Sequence, residues 1–314
     1  MKPQISLARP STGRMWFVSA CALATIIQSA LSDSFSSLIL AGTVALSAIL
    51  IEFLFYFRTE RSGRIADGSA VASALVLTLL LPNHLPPLYG IAGAVFAIAV
   101  VKNSFGGLGT NWLNPALGGW LFIRFSWPDA FNSITRIPAE TTPFAAAALD
   151  FLNRTIFSHG GPALTEQALV LLNNPASGII VDRGILAFLA GSIFLFAAWS
   201  GNRAWIPAIF IGATLLLVEF FGGGDLFSGL FSGGTLAAAF LLCADPSTGA
   251  KYTQNVLLLA LITSFIAFFF RYYCGELFGA LYAVVLVNTG TSFVRKWENR
   301  MLYAASPEGT RVEN

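Results

Sequence analysis

Apolar residues run along this chain in long stretches broken by short polar clusters. Ten stretches can be drawn, over residues 15–31, 36–57, 68–82, 86–101, 110–126, 184–199, 204–221, 226–243, 254–270 and 275–294. About twenty apolar residues carry a helix across a hydrocarbon core of about 30 Å. The third, fourth, fifth and eighth stretches fall short of a crossing, which predicts tilted, half-length or broken helices whose freed backbone groups are satisfied inside protein. The stretches divide five plus five around one long non-apolar insertion, residues 127–182.

The two sets rhyme. Asp67-Gly-Ser-Ala opens a short apolar segment that stops at Pro82, and Ser232-Gly-Gly-Thr opens another that ends at Asp245-Pro246. Duplicated, interrupted segments usually surround a site near the membrane midplane. The predicted fold is therefore all-α and integral to the membrane, with about ten transmembrane helices as two five-helix repeats, some of them short or broken. Five spans per repeat put the second repeat in the opposite orientation to the first, a urea-transporter-like arrangement. The chain then divides into an N-terminus (1–14), a first repeat (15–126), a loop (127–182), a second repeat (183–294) and a C-terminus (295–314).

Composition agrees: 55% of the 314 residues are hydrophobic and only 11% are charged, too little polar surface for a soluble fold of this length. Charge then sets orientation. Lys2, Arg9, Arg14, Arg58, Arg61, Arg64, Lys102, Arg203, Lys251, Arg295, Lys296, Arg300 and Arg311 fall on one side of the ten-span arrangement, whereas Arg124, Arg136, Arg154, Arg183 and Arg271 fall on or near the other. The first side reads as cytoplasmic, with both termini there and the 127–182 loop outside. Within that loop, residues 143–152 form an alanine-rich run preceded by Thr141 and Thr142, where a hydroxyl most simply caps a helix.

Carboxylates within membrane spans are costly enough to suggest function, which selects Glu52, Asp67, Glu219, Asp245 and Glu276. Glu52 and Glu219 occupy equivalent places in the two repeats. Asp67 precedes its short helix, where a carboxylate caps the backbone and complements the helix dipole. Asp245 follows a helix whose C-terminal end disfavours an anion, so it needs a partner, for which Lys251 is nearest in sequence. Asn111 and Asn114, among Gly106, Gly107 and Gly109, open the fifth stretch; they offer amide oxygens to a hard cation or simply close a tight turn.

Other chemistries lack support. His84 and His159 are far apart, and Cys21, Cys243 and Cys274 show no Cys-x-x-Cys spacing, so no metal site is expected. No Gly-x-Gly-x-x-Gly fingerprint, phosphate-binding loop or basic nucleic-acid surface is present. The basic, proline-containing N-terminus lacks a convincing cleavage site, so the first apolar stretch is expected to stay in the membrane.

Three segments carry a resemblance. Arg64-Ile-Ala-Asp67-Gly-Ser-Ala-Val-Ala-Ser-Ala-Leu75 through Pro82, Phe105-Gly-Gly-Leu-Gly-Thr-Asn111-Trp-Leu-Asn114-Pro-Ala116 and Cys243-Ala-Asp245-Pro-Ser-Thr248 resemble, in order and spacing, the RnfD and NqrB family. The resemblance runs from about residue 15 to residue 300 and is closer in length to RnfD. It implies a subunit of a redox-driven ion pump in the inner membrane, working with other membrane and peripheral subunits, among them a flavoprotein on the outer face, and moving Na⁺ or H⁺. It implies flavin mononucleotide (FMN) joined through its phosphate to a threonine, which here matches Thr142, and it extends to a noncovalent riboflavin in related NqrB-type subunits; Arg136 and Arg154 are the loop cations available to offset Glu140 beside such a phosphate. Ala139 and Glu140 stand where the family's attachment sequence has serine and glycine. Two alternatives remain: a cofactor-free structural homologue within such a complex, and an autonomous solute channel.

Overall fold

The computed structural model describes residues 11–32, 35–59, 67–104, 111–132, 178–198, 204–222, 226–245, 248–250 and 252–304. These are helical apart from turns and one isolated bridge between Pro82 and Ile179. The N-terminal half supplies α1 (Ser11–Ser32), α2 (Ser36–Thr59), α3 (Ser69–Leu79), α4 (Pro87–Val95, continued as a π-helix over Phe96–Asn103) and α5 (Pro115–Ser126). The C-terminal half supplies α6 (Ile185–Ala198), α7 (Trp205–Leu217, continued as a π-helix over Val218–Gly222), α8 (Thr235–Ala237, continued as a π-helix over Ala238–Cys243), α9 (Thr253–Tyr272) and α10 (Gly279–Ala304).

Residues 12–32, 36–57 and 254–272 are long and apolar enough to cross a membrane; α3, α4, α6 and α7 carry shorter apolar helices. Large apolar side chains such as Leu46, Leu50, Leu54 and Phe57 on α2 face outward while Val44 and Ala48 are buried. That pattern is the inverse of a soluble helix and fits a lipid-facing surface. The chain is an all-α, multi-pass membrane protein.

The short helices are short for local reasons. Gly68 precedes α3 with φ +73°, and Gly234 precedes α8 with φ +70°, so each half begins its short helix from a left-handed residue. At its other end α3 stops at a turn before Pro82, whose missing N–H cannot extend the helix. The eighth apolar stretch is broken where Ser232-Gly233-Gly234 separates a helical turn at Leu226–Phe231 from α8.

Packing repeats between the halves. In the first, α1 packs on α3, α2 on α3 and α4, and α5 on α3 and α4; in the second, α6 packs on α8, α7 on α8 and α9, and α10 on α8 and α9. The halves meet through α1 with α6 and α5 with α10. Small residues permit close approach: a Cβ on Gly119 of α5 would lie 2.7 Å from the Gly93 carbonyl oxygen of α4, and one on Gly184 would lie 2.2 Å from the Thr25 carbonyl oxygen of α1. Glu298 near the end of α10 is fully buried and accepts from the Tyr252 N–H and the Asn255 side chain, supplying α9 with a cap from another helix.

Candidate functional site

The start of α3 assembles a charged cluster. Asp67 accepts from the Ser69 N–H at 2.8 Å and from the Ser69 hydroxyl at 2.5 Å, the capping arrangement expected of a carboxylate before a helix. Lys102, near the end of the α4 π-helix, donates to Ser69 Oγ at 2.6 Å and forms a salt bridge with Glu52 of α2. The charge pattern along the chain puts Lys102 in a loop at the membrane surface; the structure instead buries it to 1% exposure, with Glu52 at 3%. Glu52, Lys102, Ser69 and Asp67 thus form one continuous polar chain inside the bundle.

The start of α8 has a parallel construction. Arg271, near the end of α9, donates to Ser232 Oγ at 2.5 Å and to the Ser232 carbonyl oxygen at 3.2 Å. The carboxylate is supplied from outside the helix: Asp182 is buried and accepts from the Gly234 N–H at 3.2 Å. In both halves, therefore, the penultimate residue of the fourth helix is a cation that reaches a serine at the start of the third, where a carboxylate receives the helix N–H groups. Asp182 escapes the sequence reading because it falls in the connecting loop; the one available signal is an Asp-Arg pair directly before an apolar stretch.

The segment that carries Asp182 also binds the other short helix. The Ile180 N–H donates to the Leu81 carbonyl oxygen at 3.0 Å and the Asn83 N–H donates to the Gly178 carbonyl oxygen at 3.4 Å, both just beyond α3. Residues 178–183 therefore touch the end of α3 and the start of α8 together.

A third contact joins the halves. Asn114 caps α5 by accepting from the Ala116 N–H at 3.0 Å and donates through Nδ2 to Asp245 Oδ2 at 2.7 Å. An amide from the other half is thus one partner of Asp245; Lys251, the partner expected from the sequence, lies outside the described residues. Asn111 is buried, its carbonyl oxygen accepts from Arg295 at 3.4 Å, and its Oδ1 has no hydrogen-bond partner among the described residues. Changing Asn114 to Asp sets two carboxylates within hydrogen-bond distance. We expect a loss of about 1–3 kcal/mol in thermal unfolding of the detergent-solubilised protein, recovered in large part by adding Asp245→Asn.

Glu52 and Glu219 do not share an environment, since Glu219 is exposed on the π-helical end of α7. Glu276 sits part-buried in the turn between α9 and α10. Thr142, Arg136 and Arg154 lie outside the described residues. No group of three or more His, Cys, Asp or Glu side chains could hold a metal ion among the described residues.

The comparisons with known proteins cover nearly the whole chain. The model of the NQR2, RnfD, RnfE family matches residues 1–303. The D subunit of the Na⁺-translocating ferredoxin:NAD⁺ oxidoreductase complex of Acetobacterium woodii is 28% identical over 271 residues, covering 86% of this chain and 83% of that protein. The D subunit of the proton-translocating ferredoxin:NAD⁺ oxidoreductase complex of Clostridium ljungdahlii is 28% identical, covering 82% and 81%. The D subunit of the ion-translocating oxidoreductase complex of Pseudomonas aeruginosa is 30% identical, covering 71% and 70%. With its short helices, buried charges and motif segments accounted for, the chain belongs to the NQR2, RnfD, RnfE family.

Proposed function

We propose that this protein is the membrane-embedded RnfD-type subunit of an Rnf-type ion-translocating electron transport complex in the inner membrane. It is built as ten helices in two inverted five-helix repeats, with both termini cytoplasmic. The observation that carries this reading is the family match over residues 1–303. The recurrence of helix packing, with every helix number raised by five, supports the duplication, and the left-handed glycines before α3 and α8 support equivalent short helices at its centre.

In this reading Thr142 would hold FMN through its phosphate, with Arg136 and Arg154 offsetting phosphate charge, and FMN held there would supply the redox chemistry for electron exchange with partner subunits. The polar chains at the starts of α3 and α8 belong to the ion pathway. Among the described residues the first chain sets two carboxylates, Glu52 and Asp67, beside one ammonium, and carboxylates within a membrane bundle suit uptake of Na⁺ or H⁺. Asn111, Asn114 and Asp245 add oxygen donors between the halves.

The cofactor-free alternative draws on one observation, Ala139-Glu140 in place of serine and glycine ahead of Thr142. Inverted membrane vesicles from the native host test the reading as a whole. Reductant-driven Na⁺ uptake or acidification is expected to require this chain and to fail when its gene is deleted. Undiminished redox-driven ion movement in the deletion strain would reject it.

A further inference from the structure

A cavity of about 20 Å³ lies between α7, α8, α9 and α10, away from the charged clusters. Its walls are mainly aliphatic, but Thr263 of α9 and Asn288 and Thr291 of α10 also line it, together with Cys243 at the end of α8. These three polar residues are only 2%, 5% and 1% exposed, respectively.

Their hydrogen bonding is incomplete in a particular way. Thr263 Oγ1 donates to the Leu259 carbonyl oxygen at 2.6 Å and Thr291 Oγ1 donates to the Val287 carbonyl oxygen at 2.7 Å, which spends each hydroxyl proton and leaves lone pairs able to accept. Asn288 Nδ2 is buried with no partner among the described residues. A donor without an acceptor therefore shares a cavity with two acceptors able to take more. An unmet buried polar group is costly, so an occupant that resolves this mismatch is favoured.

We propose that the cavity is a binding site for one resident water molecule, which accepts from Asn288 Nδ2 and donates to the hydroxyl oxygens of Thr263 and Thr291. Size and chemistry agree: a single water needs about 10–15 Å³ and two to four polar partners. A metal cation fits worse, because no carboxylate lines the cavity and an unpaired charge there would be desolvated without compensation. The water joins α9 to α10 below the Asp245 turn, since Gly249 borders the cavity and donates its N–H to the Asp245 carbonyl oxygen at 3.2 Å. The assignment stands independently of the redox reading.

Ile206, which lines the cavity and is fully buried, is a built-in reporter. In X-ray radiolysis of the purified complex, hydroxyl radicals formed from a resident water oxidise side chains beside it, so Ile206 is expected to be labelled although it is buried. The Thr263→Val, Thr291→Val double variant keeps the side-chain shapes and removes both acceptors; Ile206 labelling is expected to drop several-fold while the exposed Cys274 is labelled as before. Thr263→Ser with Thr291→Ser keeps both acceptors and should label like the parent. Absence of Ile206 labelling in the parent, or equal labelling in the valine variant, would overturn the site.

Discussion

Replacing Lys102 with methionine lowers stability by about 3–5 kcal/mol, the loss expected when one member of a buried ion pair is removed and the other is left uncompensated. The size follows from burial: Lys102 is 1% exposed and Glu52 3%, so water cannot repair the loss. The effect spreads because Lys102 also holds Ser69, whose N–H and hydroxyl are bound by Asp67 at the start of α3. Adding Glu52→Gln to Lys102→Met removes the stranded charge and should recover most of the loss, whereas two independent sites would give an additive result. Thermal unfolding of the detergent-solubilised protein, followed by size-exclusion chromatography, reads both outcomes. Equal melting of the parent and Lys102→Met would mean that the pair is not buried as described.

The second large effect comes from backbone geometry. Gly233 has φ +68°, a region that costs a residue with a side chain about 1–3 kcal/mol, and an added Cβ would lie 2.1 Å from the Leu277 carbonyl oxygen. That carbonyl belongs to the turn leading into α10 and also accepts from Arg271 at 3.4 Å. Gly233→Ala therefore pushes apart the start of α8 and the turn that anchors its cation, and we expect the variant to accumulate poorly in membranes. Gly212→Ala is the matched control: it lies within α7 with nothing within 4 Å of the added carbon, and should be neutral or stabilise by about 0.5–1 kcal/mol. Similar behaviour of both variants in expression and melting would contradict the geometry described for the α8 start.

The membrane class, the approximate helix positions and the shortness of α3 and α8 are legible in the sequence because hydropathy and glycine or proline breaks are local properties. Asp67 as a cap is legible for the same reason, since its partner Ser69 is two residues away. Side-chain partners distant in sequence are not. Lys102 reads as a surface cation because it follows an apolar run, yet its partner Glu52 is fifty residues earlier. Glu52 and Glu219 match by position, but helix phase buries one and exposes the other. Asp245 reads as needing a partner, and one that it has, the Asn114 amide, is 131 residues away in the other half. Asp182 lies in a segment without apolar periodicity, and only the folded chain brings it to Gly234.

A redox role with a covalently held flavin is tested most directly by mass spectrometry of the peptide containing Thr142 from chain purified with its native complex. The predicted result is a Thr142 peptide carrying FMN minus water, with the modification lost in Thr142→Ala. A Thr142 peptide wholly unmodified in an intact, electron-transferring complex would contradict that role and favour a structural homologue without the flavin.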